Sequence, residues 1–431
     1  MTITTNTQGH LTIGGADALA LAQEFQTPLY VYDVGQIRTQ IRRFKQVFEA
    51  EHVAYAVSYA SKAFATVAMY QVAAQEGAHI DVVSGGELYT AVQAHFPMAD
   101  VAFHGNNKSQ AELEMALTHH VGTIIVDNFD EISLLQSLLA ATPTQRQDVI
   151  LRVAPGISAH THAYDQTGQV DSKFGFDLAS GQAMAAAKAI LAAPQLNLLG
   201  IHAHIGSQIF EVAGFVGATQ KLLETLCDWH ETLGFTPQVL NVGGGFGIRY
   251  TDADDPLPAA EFVRAIIQTA KAAELPFALP AIWIEPGRSI VGEAGHQLYA
   301  VGSRKAVPGL RPYVAVDGGM GDNIRPALYQ APYEAVKAAT PLAPATETVH
   351  LVGKYCESGD ILIDAAPLPA TAPGDVIAVL ATGAYGYTMA SNYNRNPRPA
   401  VVFVENGQAK LVVRRESYAD LTQNDLRYSE D

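Results

Sequence analysis

Lys62 stands in the run Tyr59-Ala60-Ser61-Lys62-Ala63, beside small and apolar neighbours. An amine in such surroundings is partly desolvated, which favours the neutral form that condenses with a carbonyl. Taken alone, a snorkelling surface lysine is the better reading. Gly243-Gly244-Gly245-Phe246-Gly247 offers backbone N–H groups that can close around a phosphate, although a tight turn also needs glycine for its own sake. Glu285-Pro286-Gly287-Arg288-Ser289 adds an arginine for an anion and a carboxylate able to pair with a protonated ring nitrogen. In His202-Ala203-His204-Ile205-Gly206-Ser207-Gln208 two histidines have the spacing that shares one strand face. A two-histidine metal site follows from that spacing, but no third and fourth ligands are evident, so a histidine stacked on a flat aromatic ligand ranks above metal. His202 also reads as a structural histidine.

Further along, Asp317-Gly318-Gly319-Met320-Gly321-Asp322-Asn323-Ile324-Arg325-Pro326 carries an arginine suited to a carboxylate. Tyr355-Cys356-Glu357-Ser358-Gly359-Asp360 sets a thiol beside two acids, and Thr382-Gly383-Ala384-Tyr385-Gly386 holds a tyrosine between glycines. Each also reads as a plain turn, and Cys356 as a small buried hydrophobe. A lysine for a Schiff base, a phosphate cradle, a stacking histidine and a ring-facing carboxylate together describe a site for pyridoxal phosphate. The combination is more specific than any member.

Such residues need a frame. Eight short β-rich runs, at 53–59, 78–84, 101–104, 123–127, 149–153, 198–204, 239–242 and 281–284, alternate with helix-period stretches at 65–76, 87–96, 110–119, 131–140, 180–191, 216–233 and 259–274. Strand, helix, strand over this length predicts an α/β fold, a (β/α)₈ TIM-type barrel, with an open doubly wound sheet as the rival. The chemistry-bearing residues lie just past the strands, where such barrels collect function, and the loops after strands seven and eight are the usual phosphate site. After about Gly295 the pattern turns all-β, with expected strands at 296–302, 313–316, 349–352, 376–380, 400–404 and 409–414. The expected division is therefore a cofactor-binding barrel over 34–290 and a β-rich C-terminal domain over 291–431, joined by 1–33 through the strand-like 29–32.

At 431 residues, 48% hydrophobic and 16% charged, the chain has room for two domains and no composition for extensive disorder. A net charge of −16 without a long basic run speaks against nucleic acid and anionic membrane as partners. Two cysteines, Cys227 and Cys356, build neither a disulfide framework nor a thiolate zinc site. The polar start and the lack of an 18-residue apolar run predict no signal peptide and no membrane span, with a cytoplasmic location as the default.

The motifs resemble those of the diaminopimelate decarboxylases, in the alanine-racemase-like barrel group that also holds ornithine and arginine decarboxylases. The resemblance runs from Thr27-Pro28-Leu29-Tyr30-Val31-Tyr32-Asp33 to Arg415-Glu416-Ser417-Tyr418 and is most specific at 81–88, 103–109, 171–176, 202–209, 285–289, 317–329, 356–360 and 391–399. It implies decarboxylation of meso-2,6-diaminopimelate to L-lysine, the last step of lysine biosynthesis. It further implies that Lys62 forms the Schiff base with pyridoxal phosphate, His204 stacks on the ring and Glu285 keeps the ring nitrogen protonated. Ser207, Gly243, Gly244, Gly245, Pro286, Gly287, Arg288 and Tyr385 would hold the phosphate and nearby atoms. Arg288, Arg325 and Tyr329 match positions for the distal carboxylate, Glu357 one for the distal ammonium, Tyr385 a further substrate contact, and Cys356 the proton donor. The 356–360 loop comes from the neighbouring subunit in this family, which implies an obligate homodimer with shared sites. Ornithine decarboxylases lack the equivalents of Arg325 and Tyr329, which argues for diaminopimelate over ornithine. The alternatives are a decarboxylase or racemase of a related basic amino acid, a non-catalytic pyridoxal-phosphate-binding homologue, and a metal-dependent hydrolase built on His202 and His204. Phe64 and Ala154 stand where the family usually has asparagine.

Overall fold

Each of the eight apolar runs is short, rich in β-branched and aromatic residues, and bounded by turn residues, so each folds as a strand. A computed structural model, which describes residues 3–157 and 172–429, places them as β1 (Tyr55–Ala60), β2 (His79–Val82), β3 (Val101–Phe103), β4 (Thr123–Val126), β5 (Gln147–Ala154), β6 (Leu196–His202), β7 (Val239–Asn241) and β8 (Ala281–Ile284). Asp171, which opens one of the resemblance stretches, lies outside the described residues. Every strand pairs in parallel with its neighbour, and the ladder closes where Ile282, Trp283 and Ile284 of β8 meet Tyr55, Ala56 and Val57 of β1. That closing ladder excludes the open doubly wound sheet. Inside, Ala102, Ile125, Ile150, Leu199 and Val239 pack with Trp283, one residue from each of six strands, so the interior is a filled core and the chemistry belongs at the rim.

The expected helices form within a few residues of their predicted ends. Thr66, Ser84, Ser109 and Asn128 cap four of them, each side chain accepting a first-turn N–H, and Ser109 with Glu112 completes a capping box. A further helix, Val34–Ala50, precedes β1 and was not expected. Its signal is legible in retrospect, because Ile37, Ile41, Phe44 and Phe48 recur at helical spacing and are all buried.

The chain divides into two compact units. One is Arg38–Ile248 with Asp255–Ile290; the other is Met1–Ile37, Arg249–Asp254 and Val291–Asp431. No break in composition announces that 249–254 joins the second unit. There, strand Leu29–Asp33 lies between Gly295–Lys305, antiparallel, and Ala400–Glu405, parallel, so an N-terminal segment pairs with C-terminal strands. The sheet continues through Tyr313–Val316, Glu347–Val352 and Ile361–Leu368 on one side and Gln408–Val413 on the other. Asn406 (φ 52°) and Gly407 (φ 77°) close the last hairpin with the two positive φ angles of a type I′ turn. Ile361–Leu368 was not expected as a strand: most of its residues lie outside the core, so apolar alternation is weak. Among the described residues no helix is long and apolar enough to cross a membrane.

Candidate active site

The C-terminal ends of the barrel strands carry the polar residues, and backbone contacts between non-adjacent motifs fix them. Past β1 the chain makes one turn, Ser61–Ala63, held by Ala60 N–H to Pro286 O (3.1 Å) and Ser61 N–H to Asp81 Oδ1 (2.9 Å). Gly287 packs on this turn, and a Cβ there would lie 2.9 Å from Ala60 Cβ. Lys62 on the turn is exposed, so the partial desolvation expected for it is not supplied by the protein's own side chains. Its charge instead acts on three neighbours, Asp81, Glu87 and His204. Burial, then the charge of Glu285, pushes the Asp81 carboxyl well above the usual range while Lys62 opposes them. The sequence alone assigns no role to Asp81 and Glu87, although Asp81 is a carboxylate inside a strand next to its C-terminal end.

Glu285, at the exit of β8, is 7% exposed. Asn241 Nδ2 donates to its Oε1 at 2.7 Å, His202 Nε2 lies 3.1 Å from Oε2, and His104 Nε2 lies 3.1 Å from Oε1. Burial alone would raise this carboxyl, but His202 and His104 hold it well below the ordinary range. Burial drives the His104 imidazole down to about 4, so at neutral pH that ring carries no charge. The Arg152 guanidinium, from β5, lies 4.2 Å over the Phe174 ring and within electrostatic reach of Asp81 and Glu285.

The two histidines do not share a strand face as their spacing suggested. β6 ends at His202, and past it Gly206 adopts φ 152°, so His204 sits on irregular backbone, where its Nδ1 accepts the Gly244 N–H at 3.2 Å. The three ligand atoms that lie within 4.8 Å of one another belong to His104, His202 and Glu285, not to His204. Within that group His202 hydrogen-bonds Glu285, whereas His104 Nε2 lies 3.1 Å from Oε1 outside hydrogen-bond geometry. His204 is half-buried, and burial followed by the Lys62 charge keeps its pKa well below the ordinary value, which leaves a neutral, flat ring.

The triglycine run is glycine because three strand exits cross at contact distance. A Cβ on Gly243 would lie 2.6 Å from Ala203 O, on Gly244 2.0 Å from Glu285 O, and on Gly245 2.3 Å from Gly206 O. Gly243 N–H donates to Asn241 Oδ1 (2.9 Å) and Gly244 N–H to His204, so their donors are committed within the barrel. Arg288 Nη2 donates to Ser207 Oγ at 2.9 Å, which brings a buried guanidinium to the neighbouring loop. Gly245 N–H, the Ser207 hydroxyl and Arg288 form a donor set suited to a phosphate. With Glu285 and the neutral His204 ring, they fit a phosphorylated aromatic cofactor whose ring nitrogen carries a proton.

In the second unit Arg325 opens the helix Arg325–Tyr329 and is 6% exposed. Its guanidinium lies 4.6 Å over the Tyr250 ring and 5.5 Å over that of Tyr333, and Nη1 donates to the Tyr333 hydroxyl. No carboxylate of the described residues forms an ion pair with it, so this is a buried cation whose counter-charge must come from elsewhere. Tyr250 and Tyr333 were not singled out in the sequence. Tyr329 is half-buried.

Asp322, 2% exposed, accepts from Gln297 Nε2 and Tyr299 OH (both 2.8 Å), from Gly319 N–H and from Tyr355 OH (both 3.1 Å). Burial pushes its carboxyl up to about 7. Asp360 accepts Met320 N–H (2.6 Å) and Tyr355 N–H (2.8 Å), so the segment bearing Arg325 and the one bearing Cys356 are tied together. Cys356 is exposed rather than buried, its N–H donating to Asn394 Oδ1 at 2.8 Å, and Glu357 is exposed beside it. Tyr385 adopts φ 59°, an uncommon conformation for a large side chain and one that clusters at functional sites. Phe64 is fully buried behind the Lys62 turn, its carbonyl accepting Tyr59 OH at 2.9 Å. Ala154 is buried at the end of β5, paired with Asp177.

A family model described as the pyridoxal binding domain of pyridoxal-dependent decarboxylases matches residues 34–292. The chain is 57% identical over 425 residues to the diaminopimelate decarboxylase of Bacillus subtilis strain 168, covering 98% of this chain and 97% of that one. To the diaminopimelate decarboxylase of Bacillus methanolicus it is 58% identical over 413 residues, 95% of each chain. Among solved structures, diaminopimelate decarboxylase from M. jannaschii in complex with L-lysine superposes with a TM-score of 0.93 at 34% identity, covering 99% of this chain and 98% of that one.

Proposed function

The chain belongs to the diaminopimelate decarboxylase family of pyridoxal-dependent enzymes, and from that premise we propose that it converts meso-2,6-diaminopimelate to L-lysine and CO₂, the last step of lysine biosynthesis. The observation that carries this reading is the convergence on one barrel rim of Lys62, the clamped carboxylate of Glu285, the neutral ring of His204 and the donors of Gly245, Ser207 and Arg288. Pyridoxal phosphate, when bound, supplies a carbonyl that links to an amine and a ring that accepts the electron pair left by departing CO₂.

The chain's own residues do the rest. Lys62 provides the amine that tethers the cofactor. Glu285 holds a proton at the ring nitrogen, because a buried carboxylate kept ionised stabilises an N–H facing it. His204, fixed through Nδ1 by Gly244, offers a flat uncharged face to the ring. Gly245, Ser207 and Arg288 bind the phosphate, with Tyr385, Gly287 and Pro286 around it. Arg325, a buried cation lacking a carboxylate partner among the described residues, takes the distal carboxylate together with Arg288 and Tyr329, and Glu357 takes the distal ammonium. Cys356 delivers the proton to the α-carbon. Ornithine has no distal carboxylate and would leave Arg325 uncompensated, which disfavours the ornithine-type alternative.

The reading includes a homodimer in which the 356–360 loop of each subunit completes its neighbour's site. The exposure of Cys356 and Glu357 in the single chain supports this. It also includes a cytoplasmic location, which suits the two free cysteines. The deciding experiment measures CO₂ release from meso-diaminopimelate, ornithine and arginine, alongside borohydride trapping of the cofactor. Release from the first alone, with the label on Lys62 and no turnover by Lys62→Ala, is the expected result. A preference for ornithine or arginine, or a label on another residue, would refute it.

A further inference from the structure

The geometry around Glu285 assigns a task to two residues outside the proposed set of cofactor contacts. Its carboxylate is surrounded by groups from five other strands: Asp81 in β2, His104 after β3, Arg152 in β5, His202 and His204 in and after β6, and Asn241 in β7. Only three touch it. Asn241 and His104 approach Oε1, at 2.7 and 3.1 Å, while His202 approaches Oε2 at 3.1 Å. The two imidazoles meet edge to face, with ring centroids 5.0 Å apart and planes at 80°, so each ring limits the rotation of the other. Both are buried; His202 Nε2 hydrogen-bonds Glu285 Oε2, whereas His104 Nε2, although 3.1 Å from Oε1, lies outside hydrogen-bond geometry and, like His202 Nδ1, finds no hydrogen-bond partner among the described residues. An imidazole whose Nδ1 has no acceptor places its proton on Nε2, here toward the carboxylate.

We propose that His202, through its hydrogen bond, and His104, through its edge-on packing against the His202 ring and its nearness to Oε1, are positioning residues that hold Glu285 as an oriented carboxylate and thereby set the protonation of the cofactor's ring nitrogen. The inference rests on the functional reading above, in which Glu285 faces that nitrogen. Without the pair, burial and the repulsion of Asp81 favour the neutral acid, leaving Arg152 and Asn241 as the remaining support. A neutral acid no longer requires a proton on the ring. At His202, glutamine keeps an N–H donor near the imidazole Nε2 position, whereas leucine removes it, so the two substitutions there separate clamping from simple packing.

The test loads the parent protein, His104→Leu, His202→Leu and the two glutamine variants with ¹⁵N-labelled pyridoxal phosphate and follows the ring-nitrogen shift against pH, with cofactor affinity measured by fluorescence. The expected result is a protonated ring nitrogen at neutral pH in the parent and glutamine variants. In each leucine variant the signal moves toward the unprotonated position, and in His202→Leu cofactor affinity falls about tenfold, as for loss of one hydrogen bond to a charged group. Leucine variants that fold like the parent and keep its ring-nitrogen shift would overturn the proposal. Should the leucine variants not fold, ¹⁵N-histidine spectra of the unmutated apoprotein decide: a proton on Nε2 of His202 supports the clamp, and a proton on its Nδ1 overturns it. A parent protein that takes up no cofactor on Lys62 overturns the functional reading and this inference together, whereas uptake with a ring nitrogen indifferent to both histidines overturns the inference alone.

Discussion

Replacing Arg325 by methionine removes a charge while keeping an unbranched apolar stem against the Tyr250 and Tyr333 rings. Arg325 is 6% exposed and no carboxylate of the described residues forms an ion pair with it, so a bound carboxylate meets no competing protein anion there. Removing one partner of a buried charge pair costs about 2 to 5 kcal/mol. Arg288 and Tyr329 are proposed to contact the same carboxylate, which places the loss at the lower end, about 2 to 3 kcal/mol. At about 1.4 kcal/mol per tenfold, that is roughly a 30- to 150-fold fall in kcat/KM for meso-diaminopimelate. L-Lysine retains the distal carboxylate after the reaction, so its inhibition constant should rise by a similar factor. The diamine 1,5-diaminopentane has no carboxylate and should bind Arg325→Met as it binds the parent. A kcat/KM within about threefold of the parent, or an equal weakening of the diamine, would refute the carboxylate role.

Three other outcomes are expected. Asp322 has its carboxyl raised by burial from 3.8 to about 7, so its contribution to stability is fully present below 3.8 and is lost as pH rises to about 7. The difference between the thermal midpoints of the parent and Asp322→Asn should therefore change with pH across that window and level off above it; a constant difference would contradict the assignment. Gly244→Ala puts a Cβ 2.0 Å from the Glu285 carbonyl oxygen and should destabilise by about 3 kcal/mol or more and impair cofactor uptake, whereas Gly359→Ala, with nothing within 4 Å, should leave the denaturation midpoint near that of the parent. Mixing inactive Lys62→Ala and Cys356→Ala proteins should restore activity up to about a quarter of the parent level, because random pairing leaves one complete site in half of the dimers. No recovery after verified subunit exchange would exclude sites shared through Cys356.

The barrel was legible because its signals are local. Eight apolar runs of strand length, helix-period stretches between them and Ser, Thr or Asn at helix starts specify elements within a few residues of where they form. The positions of Lys62, Gly243 to Gly245, Glu285 and Arg288 just past strands were equally readable, since a barrel puts every strand exit on one rim. The helix Val34–Ala50 carries the same local periodicity in Ile37, Ile41, Phe44 and Phe48.

What the chain order could not supply is contact between residues far apart along it. His104 meets Glu285 only because β8 closes on β1 and brings the exits of β3, β6, β7 and β8 around one carboxylate. The shared face expected for His202 and His204 failed because β6 stops at His202, and a spacing of two residues implies a common face only while the strand continues. Tyr250 and Tyr333 enclose Arg325 through a six-residue excursion of the chain that no composition change marks. Which motifs exist, and the order in which strands present them, was determined by residue type and period. Which charges are buried, paired or left to await a ligand was decided by tertiary packing, because desolvation and Coulomb interaction depend on distance in space.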